Sequence, residues 1–226
     1  MAPEKLTLAV DAERKVSALL DAPPAAFACY VLAHGAGAGM THPAMAAVAT
    51  ELAERGIAVL RYQFPYMEQG SKRPDPPALC HATVRAAVAE AGKRLPKLPL
   101  IAGGRSFGGR MTSQAQAKAP LPGVLGLAFL GFPLHPAGKP SDERAAHLSD
   151  VKIPMLFLQG TRDALAELSL LRPVVERLGK RATLTLFDEA DHSFHVPAKS
   201  GRKDAEVRAE VLNRLAAWID HIIGAR

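Results

Sequence analysis

The chain has 226 residues, of which 48% are apolar and 22% charged, the balance of an ordinary globular protein that can bury a core without disulfide or metal staples. Its formal charge of +6 comes from Lys and Arg scattered along the chain, and only 5% of residues are aromatic, which argues against nucleic acid as a partner. No run approaches the ~18 apolar residues of a membrane span, and the charge-broken start MAPEKLTLAVDAERKVSALL lacks the apolar centre of a secretory signal, so a cytoplasmic protein is the expectation.

Strand-like runs alternate with helical patterns along the chain, the signature of a mostly parallel sheet covered by helices. Leu6–Val10 and Lys15–Leu20 read as an opening pair of short strands. Phe27–Ala33 is a buried strand that runs straight into the glycine-rich stretch His34–Gly39. Pro43–Arg55 has amphipathic helical spacing and stops before Gly56. Ile57–Tyr62 is the next strand, Gln63–Pro77 a Pro-rich loop, and Ala78–Leu95 an Ala-rich helix. Leu98–Gly103 reads as a strand leading into Ser106, with a helix over Phe107–Lys118 behind it.

Val124–Gly131 and Pro154–Gln159 are two more strands. Ala164–Leu178 reads as helical, interrupted or restarted at Pro173. Ala182–Phe187 is the last strand. In the closing helix Val207, Val211, Leu215, Trp218, Ile219 and Ile222 recur at three- and four-residue steps and form one core-facing stripe. Cys29 and Cys80 lie in apolar runs without a partner at metal-ligand spacing, and read as reduced core thiols.

A serine hydroxyl becomes a nucleophile only with a base to take its proton, an acid to orient that base, and donors for the oxyanion that forms. This sequence holds a candidate for each role. Ser106 lies in Gly104-Arg105-Ser106-Phe107-Gly108, between a strand and a helix, where a sharp turn exposes the hydroxyl and glycines leave it room. Asp163 follows the strand Pro154–Gln159, and His192 follows the strand Ala182–Phe187, in Asp188-Glu189-Ala190-Asp191-His192. Each candidate stands at the carboxyl end of a strand, where sites form in open α/β sheets. Asp163 also reads as an N-cap for the helix expected from Ala164. His195 competes with His192, which is preferred because it comes first after the strand, behind an acidic, flexible run. The order Ser–Asp–His separates this scheme from other serine-protease orders.

The backbone N–H of Phe107 and that of Ala36, in the loop His34–Gly39, are the expected oxyanion donors, with Gly37 the competing choice for the second. That loop lacks the lysine of a phosphate-binding loop and the third glycine of a dinucleotide fingerprint, because Met40 follows Gly39. No cofactor and no metal is expected.

From about Leu6 to Ile223 the sequence resembles the α/β-hydrolase superfamily. The runs Leu32–Gly37, Arg61–Met67, Gly103–Arg110 and Gln159–Asp163 are similar to the small hydrolases related to dienelactone hydrolase and testis-expressed protein 30, a group to which a subunit of a nuclear histone-acetylating complex is also related. The resemblance implies a single α/β-hydrolase domain with a central, mostly parallel eight-stranded sheet, helices on both faces, and a Ser106/Asp163/His192 triad. Two departures stand out. Dienelactone hydrolase uses a cysteine where this chain has Ser106, so lactone activity is not carried over. Similar sequences continue after the acid with Pro-Phe-Gly, whereas Ala164-Leu165-Ala166 follows Asp163 here.

The stretch Leu134–Ile153 is too short for a large lid domain, so an open site suited to a small ester substrate is expected. Arg105, Arg61, Lys72 and Arg73 come from loops expected near the same sheet edge and hint at an anionic substrate, with solvated charges or structural salt bridges the equally favoured reading; Tyr66 is a candidate for the pocket wall. Peptidase, thioesterase or haloperoxidase chemistry would use the same triad. A non-catalytic binding or scaffold protein of this fold is the alternative from another class, and its mark would be a missing triad member.

Overall fold

The computed structural model describes residues 2–224. Eight strands form one sheet: β1 (Glu4–Ala9), β2 (Lys15–Asp21), β3 (Ala28–Ala33), β4 (Ile57–Tyr62), β5 (Leu100–Arg105), β6 (Val124–Leu130), β7 (Met155–Gly160) and β8 (Ala182–Phe187). Their spatial order is β1-β2-β4-β3-β5-β6-β7-β8. β2 pairs antiparallel with both β1 and β4, while β4-β3-β5-β6-β7-β8 are all parallel.

The parallel strands are buried on both sides, which is why they read as continuous apolar runs rather than alternating ones. In β3, Cys29, Val31 and Ala33 face one core layer, and Ala28, Tyr30 and Leu32 the other. Helices α3 (Pro77–Arg94), α4 (Phe107–Lys118) and α5 (Leu168–Leu178) cover the first layer; α1 (Pro43–Ala53) and α6 (Asp204–Gly224) cover the second. The stripe Val207, Val211, Leu215, Trp218 and Ile219 is buried, so its role is packing. Cys29 and Cys80 are free and buried, and desolvation pushes both thiols up to about 12. Among the described residues no helix is long and apolar enough to cross a membrane.

Several boundaries differ from the sequence reading. The Pro-rich loop contains a short helix, α2 (Pro65–Glu68), started by Pro65 at its first turn. β5 begins and ends two residues late and carries the chain directly to Ser106. Ala164–Glu167 form a turn, and α5 begins only at Leu168. Pro173 lies inside α5 without interrupting it. The carbonyl that loses its donor belongs to Ser169, an exposed residue whose carbonyl can turn to water. Between β6 and β7 lies a loop with a 3-10 helix at Glu143–Asp150, and no lid domain.

Candidate active site

Ser106 links β5 to α4 with φ 51° and ψ −117°, a conformation that L-residues rarely adopt. The turn is so sharp that its flanks admit no side chain. A Cβ at Gly104 would lie 2.5 Å from the Ala33 carbonyl oxygen, and one at Gly108 2.5 Å from that of His34. Packing against β3 therefore holds the elbow on both sides.

The three residues expected at strand ends meet. The Ser106 Oγ lies 2.7 Å from His192 Nε2, and His192 Nδ1 lies 2.6 Å from Asp163 Oδ2. With the serine hydroxyl donating to Nε2, Nδ1 carries the proton that goes to the carboxylate. The Asp163 carboxylate is fully buried and accepts three bonds. Besides His192, Gln159 Nε2 donates to Oδ2 and the Leu165 N–H donates to Oδ1 at 2.7 Å. Asp163 thus caps its own turn, not helix α5. The Leu165 N–H, within Ala164-Leu165-Ala166, is thus one of the groups that hold the Asp163 carboxylate.

His195 is exposed and bonds Asp204 at 2.8 Å, away from Ser106. The acidic run before His192, expected to be flexible, is a bonded turn. The Asp191 carboxylate accepts from the Ser193 and His195 N–H groups, and the Asp191 N–H donates to the His195 carbonyl at 2.9 Å. Arg162 N–H donates to the Ala190 carbonyl, joining the Asp163 loop to the His192 loop.

Ala36 and Phe107 line the same cleft as Ser106, which has a volume of about 600 Å³. Phe107 opens α4, so its N–H has no intrahelical acceptor. The peptide between Gly35 and Ala36 is held from its other end: His34 Nδ1 lies 2.7 Å from the Gly35 carbonyl oxygen, while Nε2 accepts the Phe64 N–H at 3.0 Å. These bonds fix the tautomer, and burial holds the His34 pKa down at about 4. The Tyr66 hydroxyl donates to the Ala36 carbonyl at 2.9 Å.

Tyr66 is therefore a buried brace beneath the glycine loop, and the pocket-wall role is corrected. His34 and Gln159 are positioning residues that pattern reading missed. The available signal was a polar residue at the end of a fully apolar strand, where burial demands a partner.

The cations proposed from sequence are not brought together. Arg61 is buried and spoken for: its Nη2 lies 3.1 Å from Asp21 Oδ2 and its Nη1 donates to the Met40 carbonyl. Lys72 and Arg73 are exposed and do not line the Ser106 cleft. Arg105 opens into a separate cavity between α1 and α6, with Met45, Phe194 and Leu212. Strand alternation explains this, since neighbours on β5 face opposite sides of the sheet. The cations that share the cleft with Ser106 are Arg110 and Arg144. Among the described residues there is no group of three or more His, Cys, Asp or Glu placed to hold a metal ion.

Residues 26–220 match the family model of the alpha/beta hydrolase domain. The fold is similar to a dienelactone hydrolase from Anabaena variabilis, with 21% identity, TM-score 0.77, and coverage of 98% of this chain and 99% of that one. It is also similar to a serine hydrolase without a lid from Xanthomonas campestris, with 22% identity, TM-score 0.73, and coverage of 96% and 95%. A serine hydrolase homologue from Coxiella burnetii shares 18% identity at TM-score 0.76, covering 95% of this chain and 98% of its own. The family match, which spans all of β3 to β8, makes this chain a member of the alpha/beta hydrolase family.

Proposed function

We propose that this protein is a serine hydrolase that cleaves small ester-type substrates through an acyl-enzyme on Ser106. The observation that carries the reading is the unbroken relay from Ser106 Oγ through His192 to buried Asp163, with bonds of 2.7 and 2.6 Å. Membership in a hydrolase family and the likeness in fold to two serine hydrolases support the same reading.

In the first half-reaction His192 Nε2 takes the Ser106 proton as Oγ bonds the carbonyl carbon. The carbonyl electron pair moves onto its oxygen, which the Phe107 and Ala36 N–H groups stabilise. Collapse of that oxyanion breaks the bond to the alcohol, which leaves with the proton from His192. Water then repeats the sequence: it loses a proton to His192, attacks the acyl carbon, and returns Ser106 with its hydrogen. Asp163 stays ionised, holds the tautomer, and stabilises the imidazolium.

The test is an active-site-directed fluorophosphonate, run beside p-nitrophenyl esters, acyl thioesters and aminoacyl amides. Labelling and ester turnover by the wild type, both lost in Ser106→Ala, are expected. Absence of labelling in either form would favour the scaffold reading; thioester or amide preference would move the substrate class.

A further inference from the structure

Arg110 sits one helical turn after Ser106, its N–H donating to the Ser106 carbonyl at 3.1 Å, and both residues line the same cleft. Its guanidinium carbon lies 5.7 Å from the centre of the Phe107 ring. Its Nε is buried without a hydrogen-bond partner, and Arg110 has no ion pair among the described residues. Arg144, from the 3-10 helix Glu143–Asp150, reaches the same cleft and also has no ion pair there.

This arrangement is unfavourable for an empty protein on three counts. Burial disfavours the charge on Arg110, and the like charge of Arg144 adds to it, so the Arg110 pKa lies below the usual arginine value. The third count is the helix itself. A first turn favours acidic residues, because free N–H groups there are positive. The first turn of α4 has no acidic residue and carries Arg110 instead. One carboxylate, Asp75, lines the cleft, with Oδ2 accepting the Tyr66 N–H at 2.8 Å. Two guanidinium groups against one carboxylate leave a single positive charge, which matches a monoanion better than a phosphate dianion.

Resting on the hydrolase reading above, we propose that the substrate is an ester bearing a second, free carboxylate, and that Arg110 and Arg144 bind that carboxylate beside Ser106. The two cations thereby set specificity, while the triad supplies the chemistry.

Matched esters test this. Monomethyl adipate is compared with its neutral terminal amide, and 3-carboxyphenyl butyrate with 3-carbamoylphenyl butyrate, so that the carboxylate is offered on the acyl side and on the alcohol side. In at least one pair the wild type should favour the anion by about tenfold or more in kcat/KM, the yield of a charged hydrogen bond. The preference should collapse in Arg110→Gln and in Arg144→Gln, and return in part in Arg110→Lys. No preference in either pair, or a preference that survives both glutamine changes together, overturns the proposal.

If none of the four esters is hydrolysed, the ester reading fails by itself. The anion site is then judged by calorimetry with adipamate, a monoanion, on Ser106→Ala. Binding that disappears when Arg110→Gln and Arg144→Gln are added supports the site; no binding, or unchanged binding, rejects it.

Discussion

The imidazole of His34 lies 2.7 Å, through Nδ1, from the carbonyl oxygen of Gly35. That carbonyl and the Ala36 N–H belong to one trans peptide, so they point in opposite directions. Holding one end aims the other, and the Phe64 N–H on Nε2 leaves His34 no freedom to turn. The consequence falls on kcat. His34→Ala should lower kcat by about 10²-fold, the usual cost of one oxyanion donor, with KM nearly unchanged. A change confined to KM, in a variant with intact circular dichroism, would contradict the positioning role.

Asp163 fixes the proton on His192 Nδ1, and an amide at that place can donate to Nδ1 and reverse the tautomer. Asp163→Asn should therefore fall by about 10⁴-fold in kcat while keeping its fold. Fluorophosphonate labelling should slow in parallel, because the same deprotonation limits both reactions. Rapid labelling with lost turnover would place the role of Asp163 elsewhere.

Stability should decline in mild acid through two histidines. Burial holds His34 at about 4, and burial plus the charges of Arg110 and His81 hold His147 there too. In the unfolded chain both titrate near ~6.5. Between these values the unfolded state binds more protons, so stability rises with pH. It is fully present above the unfolded value and is lost as pH falls towards the folded one. Urea midpoints measured across this window should drop, and drop less steeply in His147→Gln. Equal slopes in the two proteins would remove His147 from the account.

The Arg61–Asp21 pair separates a structural cation from a substrate-binding one. Both side chains are nearly inaccessible, and β2 and β4 hold them 3.1 Å apart. Asp21→Asn leaves a buried guanidinium uncompensated and should destabilise by about 3–5 kcal/mol in urea unfolding. The preference between anionic and neutral esters should not move. If it did, Arg61 would regain the substrate role that the structure denies it.

Arg61 also shows where sequence reading reached its limit. Chain order and strand ends identify which residues share an edge of the sheet, because parallel strands deliver their carboxyl ends to one side. Ser106, Asp163 and His192 could be proposed as neighbours on that ground alone. Which face a side chain takes follows from alternation within a strand, and Arg105 lay past the expected strand end at Gly103, whereas β5 runs on to include it. Arg110 went unremarked because a lone arginine on a helix reads as a solvated charge; only the cleft and its missing partners single it out. His34 was visible as a letter in a glycine loop, yet its role rests on bonds to Gly35 and Phe64, distant along the chain in the second case.

The elbow itself stores strain. Ser106 holds φ at 51° because β5, α4 and the close packing of Gly104 and Gly108 against β3 leave no other path. Such a conformation costs about 1–3 kcal/mol for a residue with a Cβ and almost nothing for glycine. Ser106→Gly should thus unfold at a higher urea concentration than the wild type, by about 1 kcal/mol once the added freedom of the unfolded glycine is subtracted. The same change removes the proposed nucleophile, so stability and activity should move in opposite directions at one residue. Ser106→Ala keeps the Cβ and the strain, and should gain little. A glycine variant no more stable than the alanine variant would mean that the turn is relaxed, and that exposure of the hydroxyl needs no stored energy.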